Sequence, residues 1–280
     1  MNKNKMKKEN SKTIKILAIG DFHGKLDKLK TMPLGDINLF LLTGDLGTAD
    51  LMRSMAFDNI RRKKLGLPER EYSSKQRKKV FMEAYDSSIR LVKYLSRFAP
   101  VYTIFGNVES SNADTRKESK EIGLKLPFLY NKLNSIPNVR VINNRAVNFH
   151  GIKIGGLNYF TDVSWVRTFK PSNYRRELHN ATKETNRVKE ALINFGSLDI
   201  LLCHQPPFGI LDKVEAKSAP SHWKGKHAGS MAVLEYIKRE HPRYVFCGHI
   251  HEARGKRKMG STEIFNLGEA GYRIVILIPD

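Results

Sequence analysis

Seven polar side chains in this sequence stand where an apolar run stops. Asp21 and His23 follow IKILAIG, Asp45 follows INLFLLTG, Asn107 closes VYTIFGN, His204 follows LDILLC, and His249 and His251 follow RYVFCG. Two carboxylates, four imidazoles and one amide oxygen, with no thiolate among them, make a donor set for a divalent transition metal: Mn first, with Fe, Zn or Co as alternatives. In Asp21-Phe22-His23 and His249-Ile250-His251 the donors are two residues apart, so on an extended segment both side chains can point to one side. Gly20, Gly24, Gly44, Gly106 and Gly248 lie beside them, where backbone must turn sharply or come close to a bound ion or phosphate. One metal would leave donors over, whereas two metals need a shared anionic bridge, and Asp45, the lone carboxylate after its strand, fits that bridge. Taken singly, each histidine could equally be a strand-end residue satisfied by a backbone carbonyl.

Placing these donors together takes a scaffold of strands and helices. Continuous aliphatic and β-branched runs predict buried strands, and ligands in open α/β sheets gather at the carboxyl ends of such strands. Between Asp50 and Arg97 the chain predicts two helices split near Gly66 and Pro68, a helical insertion at about 51–97. A helix is expected over about 120–133, then short strands VRVI, AVNF and IKIGGLNYF, with Asn143-Asn144 and His150-Gly151 as hairpin turns. A basic helix over about 173–194 precedes the strand ending at His204, and a helix over about 230–239, with Ser230 as N-cap, precedes the strand ending at His249. Strands TEIFNLG and YRIVILIP close the chain. The expected organisation is a disordered basic tail over residues 1–12 and one domain over 13–280.

Composition bounds the setting. The 280 residues are 40% hydrophobic, enough for a substantial core. No run approaches the roughly 20 apolar residues of a membrane span, and MNKNKMKKENSKT lacks the apolar region of a signal peptide. The expectation is a cytoplasmic protein without membrane contact. Cys203 and Cys247 each end an apolar run and are expected as buried thiols. The net charge of +21, from 49 Lys and Arg against 28 Asp and Glu, makes nucleic acid a possible partner. The basic residues fall in runs: the N-terminal tail, Arg61 to Lys79, Lys170 to Lys189, and Arg254 to Lys258.

The ordered set Asp21-Phe22-His23, Gly44-Asp45, Gly106-Asn107, Cys203-His204 and Gly248-His249-Ile250-His251 resembles the motifs of the calcineurin-like metallophosphoesterases over residues 14 to about 270. The resemblance implies an α/β fold, a two-sheet β-sandwich flanked by helices, with a dinuclear metal site at one end of the sheets. It places one metal on Asp21, His23, Asp45 and His251, and a second on Asp45, Asn107, His204 and His249. It further implies a phosphate-ester substrate and direct attack by a hydroxide shared between the metals.

One position departs from the family pattern. The residue after the asparagine is commonly a histidine that assists the reacting phosphate and the leaving oxygen; here it is Val108. A valine supplies no proton, so a general-acid contribution of roughly 10²–10⁴-fold must come from elsewhere or be absent. The first expectation is a phosphodiesterase acting on a nucleotide or nucleic-acid ester. The second is that His227 or His222, in the loop between the His204 and His249 motifs, substitutes; His227 is therefore taken with Asp45 as a catalytic candidate. The third is a metal-binding interaction scaffold with little catalysis. A nuclease of the DNA-repair type is a further alternative, although such chains resemble longer proteins that keep the histidine. Glu109, without its histidine neighbour, reads as a helix N-terminal or solvent-facing carboxylate.

Overall fold

The computed structural model describes residues 13–217 and 219–279. The tail expected over residues 1–12 lies outside the described residues.

Two mixed sheets stack face to face. The first has the order β11-β1-β2-β3-β4 and the second β5-β6-β7-β8-β10-β9. In the first sheet β1 (Ile14–Ile19), β2 (Leu39–Leu42), β3 (Val101–Thr103) and β4 (Val139–Val141) run parallel, and β11 (Tyr272–Leu277) pairs antiparallel with β1. In the second, β6 (Ile152–Leu157), β7 (Ile200–Cys203), β8 (Tyr244–Cys247) and β10 (Thr262–Asn266) are parallel. The antiparallel strands β5 (Arg145–Phe149) and β9 (Gly255–Met259) form its edges.

Alternation along the strands divides the core into layers. Ile14, Ile16 and Ala18 of β1, with Leu39 and Leu41 of β2, face Ile154, Ile200, Leu202 and Phe246 across the space between the sheets. Leu17, Ile19, Phe40 and Leu42 face outward, where α2 (Ser74–Leu95) and α4 (Leu129–Asn134) cover them with Leu91, Val92, Leu95 and Leu133. On the far side α6 (Tyr174–Phe195) and α7 (Met231–Glu240) lay Val188, Leu192, Val233 and Ile237 against Leu201 and Val245. The result is a two-sheet sandwich between helical layers. Among the described residues no helix is long and apolar enough to cross a membrane, and Cys203 and Cys247 are buried free thiols.

Helix α1 (Asp50–Lys64) follows β2, and α2 begins at a Ser73 capping box closed by Gln76. Every residue of α1 is at least partly exposed. The helix expected over about 120–133 is instead two, α3 (Asn112–Ile122) and α4. Gly123 ends α3 in a left-handed cap at φ 66°, and Pro127 cannot extend a helix from behind. Asn143-Asn144 is not a hairpin turn: β4 belongs to the first sheet and β5 to the second, so this dipeptide carries the chain between sheets. His150-Gly151 does turn a hairpin, with both residues at positive φ between the antiparallel strands β5 and β6. A short helix, α5 (Val163–Phe169), precedes α6, and the basic run at 254–258 lies almost wholly in the edge strand β9.

Candidate metal centre

Strands β1, β2, β3, β7 and β8 end at one edge of the sandwich, and the loops leaving them carry the polar residues singled out in the sequence. Asp21, His23, Asp45 and His204 are buried. The ligand-type atoms of Asp21, His23 and His251 lie within 4.8 Å of one another, as do those of Asp21, Asp45 and His204. His23 Nε2 is 3.7 Å from Asp45 Oδ2, and His204 Nε2 is 3.8 Å from Asp45 Oδ1. Asn107 Oδ1 stands 3.0 Å from both His204 Nε2 and His249 Nδ1. His251 Nε2 is 3.0 Å from Asp21 Oδ2. All seven side chains therefore converge, with Asp45 between the His23 side and the His204 side.

The backbone is bent to achieve this. His23 (φ 47°), Asp45 (φ 45°) and His249 (φ 64°) all adopt the left-handed region, which costs a non-glycine residue about 1–3 kcal/mol and persists where surrounding structure enforces it. Glycine makes room beside them. A Cβ on Gly106 would lie 2.2 Å from Asp45 Oδ1, and one on Gly248 would lie 2.1 Å from Asp21 Oδ1.

The protonation pattern suits cations. His204 Nδ1 lies 2.8 Å from the Thr43 carbonyl, so Nδ1 carries the proton and donates it, leaving Nε2 to face the Asn107 oxygen. Two lone-pair atoms 3.0 Å apart need something positive between them. Burial opposes a charged His204 ring, yet the carboxylates of Asp45 and Asp21 and the Thr43 carbonyl outweigh it and raise its pKa. The carboxylates thus favour positive charge at His204 for the same electrostatic reason that they would favour a metal ion. Burial and the neighbouring His204 push His249 down to about 3 and keep it neutral, the form that coordinates. Asp21 is pushed up by burial, but His204, His251 and the His249 N–H overcome this and hold it below the usual carboxylate range. Its Oδ1 also accepts from the Thr43 hydroxyl at 2.8 Å. Donor type, convergence and glycine clearance all fit divalent ions held by these residues.

Glu109 corrects the sequence reading. It is buried and accepts the backbone N–H groups of Asp45, Leu46, Gly47 and Gly106 at 2.9, 2.7, 3.3 and 2.9 Å. One carboxylate thereby clamps the loop of Asp45 to the loop of Asn107. Burial and the Asp45 carboxylate push it up to about 7 against the pull of these N–H donors. Val108 is also structural: its N–H donates to Asp45 Oδ1 at 2.9 Å, and its side chain is buried with Ala49 and Ala84. An apolar residue at 108 lets α2 pack over the loop that positions Asp45.

Two further side chains border the cluster. Arg53, on α1, brings Nη2 to 3.1 Å from His23 Nε2, and the Tyr159 ring lies 5.3 Å from His249 and 5.8 Å from His204. Tyr159 follows β6, so the strand-end rule that found the converging donors could have found it. Arg53 carries no such signal, because nothing local says which face of α1 meets the site. His227 stands apart: its Nδ1 is 2.7 Å from Asp212 Oδ1 and its ring packs on Phe208. His222 packs beside Trp223.

Comparison with known proteins places the chain in a family. The sequence profile for calcineurin-like phosphoesterase matches residues 14–253, and the chain belongs to that family. An uncharacterized protein of Methanocaldococcus jannaschii, MJ1162, is 28% identical over 143 residues, covering 50% of this chain and 56% of that protein. The chain thus spans about half the length of that curated relative. One solved structure superposes with a TM-score of 0.56 at 17% identity, covering 96% of this chain and 100% of the other, a likeness of fold. A dimetal phosphatase from Danio rerio matches with a TM-score of 0.46 at 12% identity, covering 95% and 93% of the two chains.

Proposed function

We propose that this protein is a dinuclear metal-dependent phosphodiesterase acting on a nucleotide or nucleic-acid ester. The observation that carries the reading is the convergence of Asp21, His23, Asp45, Asn107, His204, His249 and His251 on one edge of the sandwich. In this reading Asp21, His23, Asp45 and His251 would hold one ion and Asp45, Asn107, His204 and His249 the other, with Asp45 shared between them. Bound there, two divalent ions, Mn²⁺ foremost, would supply a lowered pKa for water and charge neutralisation for the phosphoryl oxygens.

The remaining chemistry falls to the protein. The Thr43 carbonyl fixes the His204 tautomer, as partners behind a metal ligand do. Glu109 and the Val108 N–H fix Asp45. Arg53, beside His23, would meet a phosphoryl oxygen and offset the charge that builds on it in the transition state. Tyr159 would wall the opposite side, limiting water access and orienting the ester.

The preference for a diester rests on position 108. The side chain there packs with Ala49 and Ala84, so no imidazole from this position serves the leaving oxygen. A diester with a good leaving group depends least on that proton. The test is hydrolysis of bis(p-nitrophenyl) phosphate beside p-nitrophenyl phosphate with added Mn²⁺, using Asp45→Asn to exclude contaminants. Faster diester cleavage lost in the variant is the expected result. Faster monoester cleavage would remove the phosphodiesterase assignment.

A further inference from the structure

A cavity of about 510 Å³ opens where the loop after β7 meets β9, and it is lined by Asp212, Lys213, His227, Arg254, Arg257 and Lys258 among others. Its size falls within the range of small-ligand sites. Lys213, Arg254, Arg257 and Lys258 are exposed, and among the described residues none of them is paired with a carboxylate. Lys256, on the same strand, is neutralised by Glu263 at 3.0 Å. The one acid in the wall is spoken for: Asp212 Oδ2 accepts the N–H groups of Gly209 and Gly229, each at 2.9 Å, and Oδ1 takes His227 Nδ1 at 2.7 Å. That pairing fixes the His227 ring and leaves Nε2 as its free nitrogen.

The cavity adjoins the candidate metal centre. Asn266 Nδ2 donates to the carbonyls of both Leu211, in the cavity wall, and Ile250, between the two ligand histidines, at 2.9 and 2.8 Å. Arg254 lies three residues beyond His251, a span of no more than about 11 Å of chain. Lysine and arginine on an edge strand also discourage pairing with other sheets, but that role requires neither a cavity nor an anchored histidine.

We propose that this cavity is a second anion site, which takes a phosphate group of a polyanionic substrate other than the ester at the metal centre. The inference rests on the phosphoesterase reading for its purpose, though the binding it asserts is independent of catalysis. Two sources share this chemistry, a nucleic-acid strand and a nucleoside polyphosphate.

The experiment is fluorescence anisotropy with a short fluorescein-labelled oligothymidylate and the full chain in EDTA, so that neither bound metal nor cleavage contributes. Affinity is followed between about 50 and 200 mM salt. The double variant Arg257→Ala/Lys258→Ala should bind at least about tenfold more weakly, with a log–log salt slope shallower by about 1.4, because each single-strand phosphate contact contributes about 0.7. Lys183→Ala/Arg187→Ala removes the same charge from α6 and should leave the slope unchanged. His227→Ala should weaken binding and lower the melting temperature, because it leaves the buried Asp212 Oδ1 without its partner, whereas Arg257→Ala/Lys258→Ala, which removes only exposed side chains, should weaken binding at an unchanged melting temperature. Displacement by ATP that the cavity variant weakens assigns a nucleotide; a strand that ATP does not displace assigns nucleic acid, and both support the site. Equal losses in the two double variants, or an unchanged slope in the cavity variant, would overturn it. Failure of ester hydrolysis would leave this result untouched, so the two readings fail separately.

Discussion

Gly106→Ala should damage the proposed metal centre without replacing any of its donor side chains. A Cβ at this position would fall 2.2 Å from Asp45 Oδ1, 2.6 Å from Asp45 N and 2.6 Å from His204 Cε1. Ordinary contact begins at about 3.5 Å, so the carboxylate and the imidazole would each have to retreat by roughly 1 Å. Neither retreats freely, because Asp45 is held by the Val108 N–H and its loop by Glu109, and the His204 ring is held by the Thr43 carbonyl. Overpacking of this kind costs about 1–3 kcal/mol of stability. Loss of ligand alignment should lower metal affinity by about 10–100-fold, as when the partners of metal ligands are removed. The assay is calorimetric titration with Mn²⁺, alongside urea unfolding. Gly35→Ala is the control, since a Cβ there meets nothing within 4 Å. If Gly106→Ala binds Mn²⁺ with wild-type affinity, the claim that Asp45 and His204 share one tightly packed centre is wrong.

Glu109→Gln keeps the shape but offers one acceptor oxygen to four N–H groups, so the urea midpoint should fall by the equivalent of about 3 kcal/mol; an unchanged midpoint would mean that the clamp contributes nothing. Arg53→Ala should lower kcat by about 10²-fold while Mn²⁺ affinity measured by calorimetry stays the same; a lost metal site would make Arg53 a structural residue. Chelation should lower the melting temperature of the metal-loaded protein, because each site held at a hundred times its Kd adds about 2.7 kcal/mol; identical melting curves with and without EDTA would argue against bound metal.

The converging side chains are legible in the sequence because they obey local rules: an apolar run and then a donor, with a glycine between them at Asp21, Asp45, Asn107 and His249 though not at His204, and a second donor two residues on at His23 and His251. Asp21, Asp45, His204 and His249 need nothing beyond their own segment to be noticed. Glu109 escapes such a rule because its burial is a tertiary fact. Its partners are mostly the N–H groups of residues 45–47, brought to it by the parallel pairing of β2 with β3. Arg53 is invisible for the same reason. The layered sandwich is legible in the strand runs and their resemblance, but local chemistry falls short at two points. Asn143-Asn144 has hairpin residues and serves as a crossover, because β5 pairs with β6 in the second sheet rather than with β4. The segment Gly255–Met259 shows only its charge in the sequence and is a strand, because β10 offers it an open edge.

The most direct test of the account is the number of Mn²⁺ ions bound per chain, measured by titration and elemental analysis of wild type and Asp45→Asn. Two equivalents in the wild type, with fewer than two in the variant, is the predicted result. One equivalent or none in the wild type, or two retained in Asp45→Asn, would contradict a dinuclear centre bridged by Asp45.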